Sequence, residues 1–569
     1  MMAPRNVSLG RDSEGIDQVL SPEARSTHLH VIGASGRGKS RALENMIRQD
    51  IKHGHGVCVI DPHGALVSGI SKWCARLNLQ ERRKIHLIDP NNLEWTTGFD
   101  PLRCSDPSFL SKTVDTAVNA CAQVWGGEDT NKTPLLKKCL RAVFYALAVG
   151  GHAMGEAIAL TSVNDPDGFR RKVTEALPDD VFQAVWDDFN RMSPRDRAET
   201  FASTNNRLIE FLASPTTRRM LSLKDEALDV RKCMEEGHII LVNLQPKLIS
   251  QSNARVIGTL LTSAFFSEAV QRDEGSAKRR PFYLYIDECY NFLTDEVEAM
   301  LDQTRKFGLH VVLAHQRLGQ LGAFYNAVMT NAQTKMVFGG LSDEDAEKLV
   351  KEVLRETFNY DQPKEILSKP TVVGFETVHL RSFAETRSSS WSESSSSGSS
   401  VNEGRAVGGG YSQTFGADGL PVTGQITRSW SEGESYGGGS NQSESSSYGE
   451  STSSTEGLSE AFLPILKMMP SAVVGHEEIM HKAILGLRRL PKRMFVLSRP
   501  GFSPTLVETP AVDEPNVTTH RIEGFSAAVR EASPYTVEVG RLNDIVRDRA
   551  TRGRRIEPED GDTFSVPES

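Results

Sequence analysis

The chain has 569 residues, of which 38% are hydrophobic, and its formal net charge at pH 7 is −9. This length exceeds that of one compact domain, so we expect two to four. The negative charge argues against a surface coated in basic groups for nucleic acid, although a ring-shaped assembly can confine its basic residues to a pore.

The seven cysteines are scattered and form no CxxC pair. This pattern indicates free thiols in a reducing compartment and neither a zinc site nor a disulfide framework. The amino-terminal segment lacks the apolar core of a signal peptide. The best apolar run, residues 142–150, is much shorter than the roughly 18 residues that a membrane span needs. We therefore expect a cytoplasmic protein, with any membrane association provided by its partners.

Residues 1–105 alternate predicted strands and helices. A β-rich run at 28–33 leads into a glycine-rich loop, and apolar residues at helical spacing follow the loop. Two further buried strands, at 56–60 and 85–88, end at Asp-Pro turns. This alternation predicts a parallel α/β sheet whose chemistry lies at the carboxyl ends of its strands.

The glycine-rich loop matches the pattern GxxxxGK[ST]. It consists of Gly33, Ala34, Ser35, Gly36, Arg37, Gly38, Lys39 and Ser40. Its position between a buried strand and an amphipathic helix indicates a phosphate-binding loop whose backbone N–H groups converge on phosphate oxygens. In this interpretation Lys39 reaches the β- and γ-phosphates of ATP, and the Ser40 hydroxyl is a ligand of Mg²⁺.

The turn after the second strand contains Asp61 and His63. These side chains are accessory candidates, which would support the Mg²⁺ shell or couple hydrolysis to movement. A Pro-Gly turn that closes a strand is the alternative explanation, and it requires no function.

Long helical patterns replace the strand signals over residues 106–236, which predicts an all-α domain inserted into the α/β core. Arg218 and Arg219 lie in this insertion, in the run SPTTRRML. They are candidates for contacting the nucleotide of a neighbouring subunit, against the alternative of solvated helix charges.

Strand signals resume over residues 237–384, the predicted second part of the core. The apolar run at 282–286 ends at Asp287 and Glu288. Two acids at the end of a buried strand, combined with the upstream glycine loop, predict hydrolysis of ATP. Asp287 is expected to hold the Mg²⁺ shell and Glu288 to orient or deprotonate the attacking water.

Two polar residues flank the next strand. Gln316 follows it and is expected to sense the γ-phosphate or position water, unless it merely opens a loop. Arg305 precedes it and is a candidate for stabilising transition-state charge in trans, with a solvated helix charge as the alternative.

The remaining chain divides by composition. Residues 385–457 are rich in Ser, Gly and Glu and cannot bury enough apolar area to fold, so a disordered linker is predicted. Residues 458–512 regain periodicity and predict a small folded element separated from the core by that linker. Residues 513–569 are polar and predict a flexible tail.

Several motifs in order resemble one superfamily: VIGASGRGKS, VIDPHGAL, GFDPL, LYIDECYNF, TRKFGLHVVLAHQRLGQL and NAQTKMVFGG. Together they are similar to the HerA/FtsK-like ring-forming DNA motors, and most similar to the type IV secretion coupling proteins and conjugative-transfer ATPases. The resemblance covers roughly Val7 to Asp361. It implies a RecA-like core interrupted by an all-α domain, a homo-hexamer that threads DNA, and ATP hydrolysis between subunits. A relaxase or type IV secretion components are the partners it suggests.

Coupling proteins usually carry amino-terminal transmembrane helices, whereas this chain begins almost at its first core strand. We therefore expect no transmembrane segment of its own. The leading prediction is an ATP-driven DNA translocase in conjugative or mobile-element transfer. The alternative is a secretion-system ATPase that energises assembly or protein transfer without pumping DNA, which the net acidity favours. A nucleotide-dependent scaffold with little turnover is the third hypothesis, and the presence of both Asp287 and Glu288 argues against it.

Overall fold

A computed structural model gives the architecture of the chain. It describes residues 5–126, 134–165, 167–178, 180–272, 280–294, 301, 303, 305–354, 368–392, 407–415, 421–430, 447–470, 476–542 and 544–545. The chain divides into two compact units, one formed by Met1–Phe358 with Ile479–Ser569 and the other by Asn359–Glu478. Among the helices in these described ranges, none combines the length and apolarity that a membrane span requires.

Strands and helices are numbered here in chain order. The strands are β1 (Val7–Asp12), β2 (Asp17–Leu20), β3 (Leu29–Ile32), β4 (Gly56–Asp61), β5 (Ile85–Ile88), β6 (Trp95–Thr97), β7 (Ile239–Asn243), β8 (Phe282–Ile286), β9 (Leu309–His315), β10 (Thr334–Phe338), β11 (Ser368–Ser392), β12 (Val407–Phe415), β13 (Pro421–Trp430), β14 (Ser447–Pro470), β15 (Met494–Arg499), β16 (Phe502–Glu508) and β17 (Thr536–Glu538). The helices are α1 (Pro22–Ser26), α2 (Lys39–Lys52), α3 (Ala65–Arg76), α4 (Leu110–Gly126), α5 (Pro134–Val149), α6 (Ala157–Thr161), α7 (Phe169–Glu175), α8 (Asp180–Arg191), α9 (Pro194–Ala213), α10 (Pro215–Ser222), α11 (Val230–Glu236), α12 (Gln251–Val270), α13 (Tyr325–Asn331), α14 (Asp343–Val353), α15 (His476–Arg488) and α16 (Thr519–Ala532).

The first unit is built on an eleven-stranded sheet in the order β2-β1-β16-β15-β10-β3-β9-β8-β4-β7-β5. The strands from β10 to β5 are parallel, and the four at the other edge pair antiparallel. The sheet is therefore mostly parallel, which confirms the predicted α/β fold class. Strand β9 lies between β3 and β8, with Ile32 paired to His315 and Ile286 to Leu313. Because these strands are parallel, the glycine loop, the two acids and Gln316 follow strand ends at the same edge of the sheet.

Strand β4 illustrates how the sheet is covered on both faces. Cys58 and Ile60 pack into one apolar core with residues of α4, α5 and α12, whereas Val57 and Val59 pack into another with residues of α2 and α3. A strand that is apolar on both faces is typical of a parallel sheet between helical layers. Burial of each such valine or isoleucine side chain contributes about 1.5–3 kcal/mol.

Helices α4 to α11 occupy the described residues between β6 and β7, in the segment where the sequence predicts the all-α insertion. Their packing is strongly aromatic. The rings of Phe189 and Phe201 meet edge to face with centroids 4.5 Å apart, and Trp186 packs on both. Because this core is continuous with the one that covers one sheet face, the insertion packs directly on the central sheet.

The structure corrects the predicted disordered linker over 385–457. Strand β11 pairs with β14, and β12 pairs with β13, all antiparallel within the second unit. Ladder hydrogen bonds between the paired strands satisfy the backbone N–H and C=O groups that face the partner strand. Such pairing does not depend on apolar burial, so the composition of the segment does not predict it. The predicted linker residues 393–406, 416–420 and 431–446 lie outside the described residues.

The structure also corrects the predictions for the carboxyl-terminal segments. Instead of one separate element over 458–512, residues 458–470 belong to β14, while β15 pairs with β10 and extends the central sheet. This antiparallel pairing satisfies the exposed edge of β10, which would otherwise offer unpaired backbone groups. Instead of a flexible tail from residue 513, helix α16 buries Phe525 and Val529, and β17 pairs with β6. Residues 543 and 546–569 of the predicted tail lie outside the described part of the chain.

Candidate active site

The glycine loop connects β3 to the first residue of α2. Gly36 and Gly38 have φ angles of 74° and 113°, in the region that favours glycine because it lacks a Cβ. Lys39 opens the helix and is 7% exposed, and its Nζ donates hydrogen bonds to Gly33 O at 2.5 Å and Ala34 O at 3.4 Å. The loop thus wraps around the ammonium group of Lys39. Burial lowers the pKa of Lys39, and the negative charges that follow β8 oppose this shift.

The loop also rests on the carboxyl-terminal part of the chain. Arg493 N donates to Arg37 O at 2.8 Å, and Arg37 Nη1 donates to Leu490 O at 3.3 Å. A Cβ at Gly38 would lie 3.1 Å from Arg493 Cα, so the close approach leaves little room for a side chain. This support is not predictable from the pattern of residues 458–512, which indicates a separate element.

Asp287 and Glu288 follow β8 and are 6% and 3% exposed. Asp287 N donates to Ile60 O at 3.0 Å, which fixes the first acid against the end of β4. Burial, reinforced by the neighbouring charges of Asp61 and Glu288, raises the pKa of Asp287 to about 6, and Lys39 opposes the shift. A buried cluster of acids facing one lysine suits a bound cation, whose positive charge favours the ionised carboxylate.

Glu288 has the geometry of a positioned base. Its backbone lies at φ 46° and ψ 51°, a left-handed conformation that residues other than glycine adopt at a cost and that is concentrated at functional sites. Gln316 Nε2 donates to Glu288 Oε1 at 2.6 Å. Glu288 Oε2 is buried and has no hydrogen-bond partner among the described residues. One carboxylate oxygen is therefore held by Gln316, and the other is free to accept from a water molecule.

Asp61, one of the two accessory candidates, caps a helix. Its Oδ1 accepts from His63 N at 2.8 Å, and its Oδ2 accepts from Leu66 N at 2.7 Å and Val67 N at 3.1 Å. These bonds satisfy backbone donors in the first turn of α3. The charge of Asp61 still acts on Asp287 through space. The His63 side chain is exposed.

The three arginine candidates lie on elements other than those that carry the glycine loop and the acids. Arg305 begins the short 3-10 helix Arg305–Phe307 before β9, at the opposite edge of the sheet from the glycine loop. Arg218 is exposed on α10, where its Nη1 donates to Leu212 O at 3.2 Å, and Arg219 is half-buried on the same helix. Within the described residues, no hydrogen bond or ion pair joins Arg218 or Arg219 to the glycine loop or the acids.

A buried histidine pair, which the sequence motifs do not indicate, lies beside the site. His30 of β3 stacks on His315 of β9 with ring centroids 4.8 Å apart, and their Nε2 atoms are 2.6 Å apart. Arg317 O can only accept, so the 2.9 Å contact from His315 Nδ1 requires a hydrogen on that nitrogen. His315 Nε2 then accepts from His30 Nε2, which leaves His30 Nδ1 unprotonated. That atom indeed has no partner among the described residues.

Both rings of this pair are neutral, because burial lowers the pKa of His30 well below its ordinary value and that of His315 to about 4. The hydrogen bond joins the strand before the glycine loop to the residue immediately before Gln316. It thereby fixes the end of β9 from which Gln316 reaches the second acid. The sequence signal for this pair is one histidine in each of two apolar strands, β3 and β9, each of which leads into a functional segment.

A buried ion pair anchors the elements behind the site. Arg25 of α1 donates to both carboxylate oxygens of Asp50, at 2.5 and 2.7 Å, and to Tyr285 OH at 2.9 Å. The guanidinium carbon also lies 3.6 Å from the centre of the Tyr283 ring. Because Asp50 lies on α2 and both tyrosines on β8, this cluster fixes the helix of the glycine loop against the strand of the acids.

Comparisons with known proteins were made for the sequence and for the fold. Residues 281–407 match the family model described as the TraM recognition site of TraD and TraG. No curated protein matches the chain. The unbound monoclinic form of the bacterial conjugative coupling protein TrwBdeltaN70 is 14% identical, with a TM-score of 0.51 over 90% of this chain and 92% of that chain. The plasmid coupling protein TrwB in complex with the non-hydrolysable ATP analogue ADPNP is also 14% identical, with a TM-score of 0.50 over the same shares.

Proposed function

We propose that this chain, which has the RecA-like fold of the conjugative coupling proteins, is an ATP-hydrolysing translocase that moves DNA in conjugative or mobile-element transfer. The observation that carries the proposal is the hydrogen bond from Gln316 to Glu288 beside the glycine loop. It holds one oxygen of a buried carboxylate and leaves the other for water. A nucleotide-binding scaffold without turnover has no need of such a base.

The roles within the site follow from the positions of its residues. The loop amides and Lys39 bind the phosphates, and the amino end of α2 adds its dipole. Ser40 lies exposed in the first turn of α2, and with Asp287 it offers the oxygen ligands that Mg²⁺ prefers. When bound, Mg²⁺ neutralises charge on the phosphates. Glu288 then orients the attacking water and accepts its proton, while Gln316 holds Glu288 in place.

A homo-hexamer is the assembly that we propose. Glu288 and Lys39 supply base and phosphate contacts from one chain, whereas Arg37, the arginine of the glycine loop, donates to Leu490 O instead. In a ring, a neighbour supplies an arginine that stabilises transition-state charge, as arginine fingers in trans do in other P-loop enzymes. Arg305, Arg218 and Arg219 are the candidates for this role in trans.

The partners proposed are DNA and components of a transfer machine, such as a relaxase or type IV secretion proteins. The family model names a TraM recognition site of TraD and TraG, and its match begins one residue before β8 and includes both acids. Strands β8, β9 and β10 are buried, so partner recognition by this segment would use its exposed residues.

Measurement of ATP hydrolysis by the full chain with and without DNA tests the proposal. We expect hydrolysis in Mg²⁺ that rises when single- or double-stranded DNA is added at low to moderate salt, and that loses this stimulation at high salt. Hydrolysis that does not respond to DNA would instead favour a secretion ATPase acting on assembly or on protein, the function that the net charge of −9 favours. Measurement of the mass of the assembly in the same buffer establishes whether the active form is a hexamer.

A further inference from the structure

Three ligating side chains meet at the opposite edge of the sheet from the active site. His86 lies near the start of β5, His238 immediately precedes β7, and Cys233 lies on α11. All three are buried. Each offers one ligand atom, and these atoms lie within 4.8 Å of one another. The proposed nucleotide chemistry uses none of these residues.

The donor set is one that transition metals favour. His86 Nε2 and His238 Nδ1 are 3.0 Å apart. Zinc holds histidine nitrogens at about 2.0–2.1 Å and cysteine sulfur at about 2.3 Å, which in a tetrahedral site places two nitrogens about 3.3 Å apart. A small outward shift of the two rings would therefore admit the ion. Two imidazoles and one thiolate favour Zn²⁺ over Mg²⁺ or Ca²⁺, which prefer oxygen ligands.

The outer partners of both histidines orient the rings for metal binding. His238 Nε2 lies 2.8 Å from Glu236 Oε2, and because a carboxylate only accepts, that nitrogen carries the hydrogen. The lone pair of neutral His238 is therefore on Nδ1 and points toward His86. His86 Nδ1 lies 2.9 Å from Ser533 Oγ, which can accept its hydrogen and leave a second lone pair on Nε2. A carboxylate behind a ligating histidine is a frequent feature of zinc sites.

Charge and access also permit an ion at this position. The acids Glu236 and Asp229 act on Cys233 together with the base Lys232, so negative charge that attracts a cation lies beside the cluster. A cavity of about 310 Å³ borders His86 and His238 and offers a path for the ion and for a water ligand.

We propose that His86, Cys233 and His238 bind one Zn²⁺ ion, with a fourth position open to water from the cavity. The ion would join β5, α11 and the residue before β7, and Ser533 would link this site to the segment between α16 and β17. The alternative is a metal-free hydrogen-bond chain, in which Ser533 donates to His86 and His86 donates to His238. The two arrangements differ in whether the Cys233 thiol is ionised and bound.

Metal titration of the full chain separates these arrangements. Bound metal is first removed from the protein with a chelator. The affinity for Zn²⁺ is then measured in the absence of nucleotide, by competition with a chromophoric chelator. We expect one tight Zn²⁺ per chain, and with Co²⁺ an ultraviolet thiolate-to-metal absorption band. Cys233→Ser should abolish the band and weaken Zn²⁺ binding at least about 100-fold. Glu236→Gln should keep the band and weaken binding about 10- to 100-fold.

The control is Cys121→Ser, which changes another fully buried thiol, on α4, and should leave both readouts unchanged. Asp287 and Glu288 cannot give the cobalt band, because it requires a thiolate. Absence of the band in the unsubstituted protein, or a Zn²⁺ affinity that both Cys233→Ser and Glu236→Gln leave within twofold, would overturn the proposal. Glu236 has a side chain that is 40% exposed, so its substitution should fold and decides the matter even where Cys233→Ser does not.

Discussion

Substitution of Gln316 by leucine tests the proposed support of the base. The change removes the 2.6 Å bond to Glu288 Oε1 and leaves both oxygens of a buried carboxylate without a partner among the described residues. A hydrogen bond to a charged group contributes about 1.5–3 kcal/mol. Each 1.36 kcal/mol corresponds to a factor of ten in rate, so we expect kcat to fall by about 10- to 150-fold. ATP affinity should change little, because among the described residues no hydrogen bond joins Gln316 to the glycine loop.

Steady-state phosphate release gives kcat, and equilibrium binding of a fluorescent, non-hydrolysable ATP analogue gives nucleotide affinity. Gln18→Leu is the matched control, because Gln18 Nε2 also donates to a carboxylate, Asp12 Oδ2 at 2.7 Å, but lies on strand β2 at the far edge of the sheet. A Gln316→Leu protein with unchanged kcat, or one that loses only nucleotide affinity, would refute the reasoning.

Three further predictions concern the same core. Burial raises the pKa of Asp287 to about 6, so the folded state binds the proton of this carboxyl group more tightly than the unfolded state does. The contribution of Asp287 to the free energy of unfolding therefore falls as pH rises from about 4 to 6. In nucleotide-free protein, Asp287→Asn should therefore be more stable than the unsubstituted chain by about 2–3 kcal/mol at pH 7 and lose this advantage near pH 4, as measured by urea unfolding. Asp50→Ala leaves Arg25 buried without its carboxylate and should lower the free energy of unfolding by about 3–5 kcal/mol in the same assay. His30→Phe keeps a stacked ring but removes the hydrogen bond to His315, so kcat should fall about tenfold with nucleotide affinity unchanged.

Each of these predictions has an outcome that contradicts it. A stability difference for Asp287→Asn that does not vary between pH 4 and 7 would mean that its carboxyl group titrates normally. Glu344→Ala removes one partner of an exposed ion pair. If Asp50→Ala lowers the free energy of unfolding by no more than Glu344→Ala does, the buried ion pair contributes little. Full turnover in His30→Phe would show that the histidine pair does not position Gln316.

The sequence predicts which residues form the active site better than it predicts the segments that pack around them, and the reason is physical. The glycine loop and the acids each follow an apolar strand, and parallel strands bring their carboxyl ends to one edge whatever lies between them in sequence. Local patterns therefore suffice to place Lys39, Glu288 and Gln316 together. The alternation of strands with helices likewise predicts the parallel part of the sheet, but not the order of the strands within it.

Contacts between distant segments were not predictable in this way. The carboxyl-terminal strands extend the sheet and Arg493 supports the glycine loop, although a polar stretch of chain precedes them. The cluster of His86, Cys233 and His238 forms across a helical insertion, whereas cysteine spacing alone indicated no metal. The paired strands of the second unit hold together through backbone hydrogen bonds, which composition does not reveal.

The central claim is that this chain hydrolyses ATP with Glu288 as the base, and a single-turnover comparison with Glu288→Gln tests it most directly. The amide keeps the size of the side chain but cannot accept the proton, and a general base contributes about 10²- to 10⁴-fold to rate. We predict that Glu288→Gln binds ATP as tightly as the unsubstituted chain, while its hydrolysis rate falls by that factor. Hydrolysis that survives the substitution at its full rate would contradict the account.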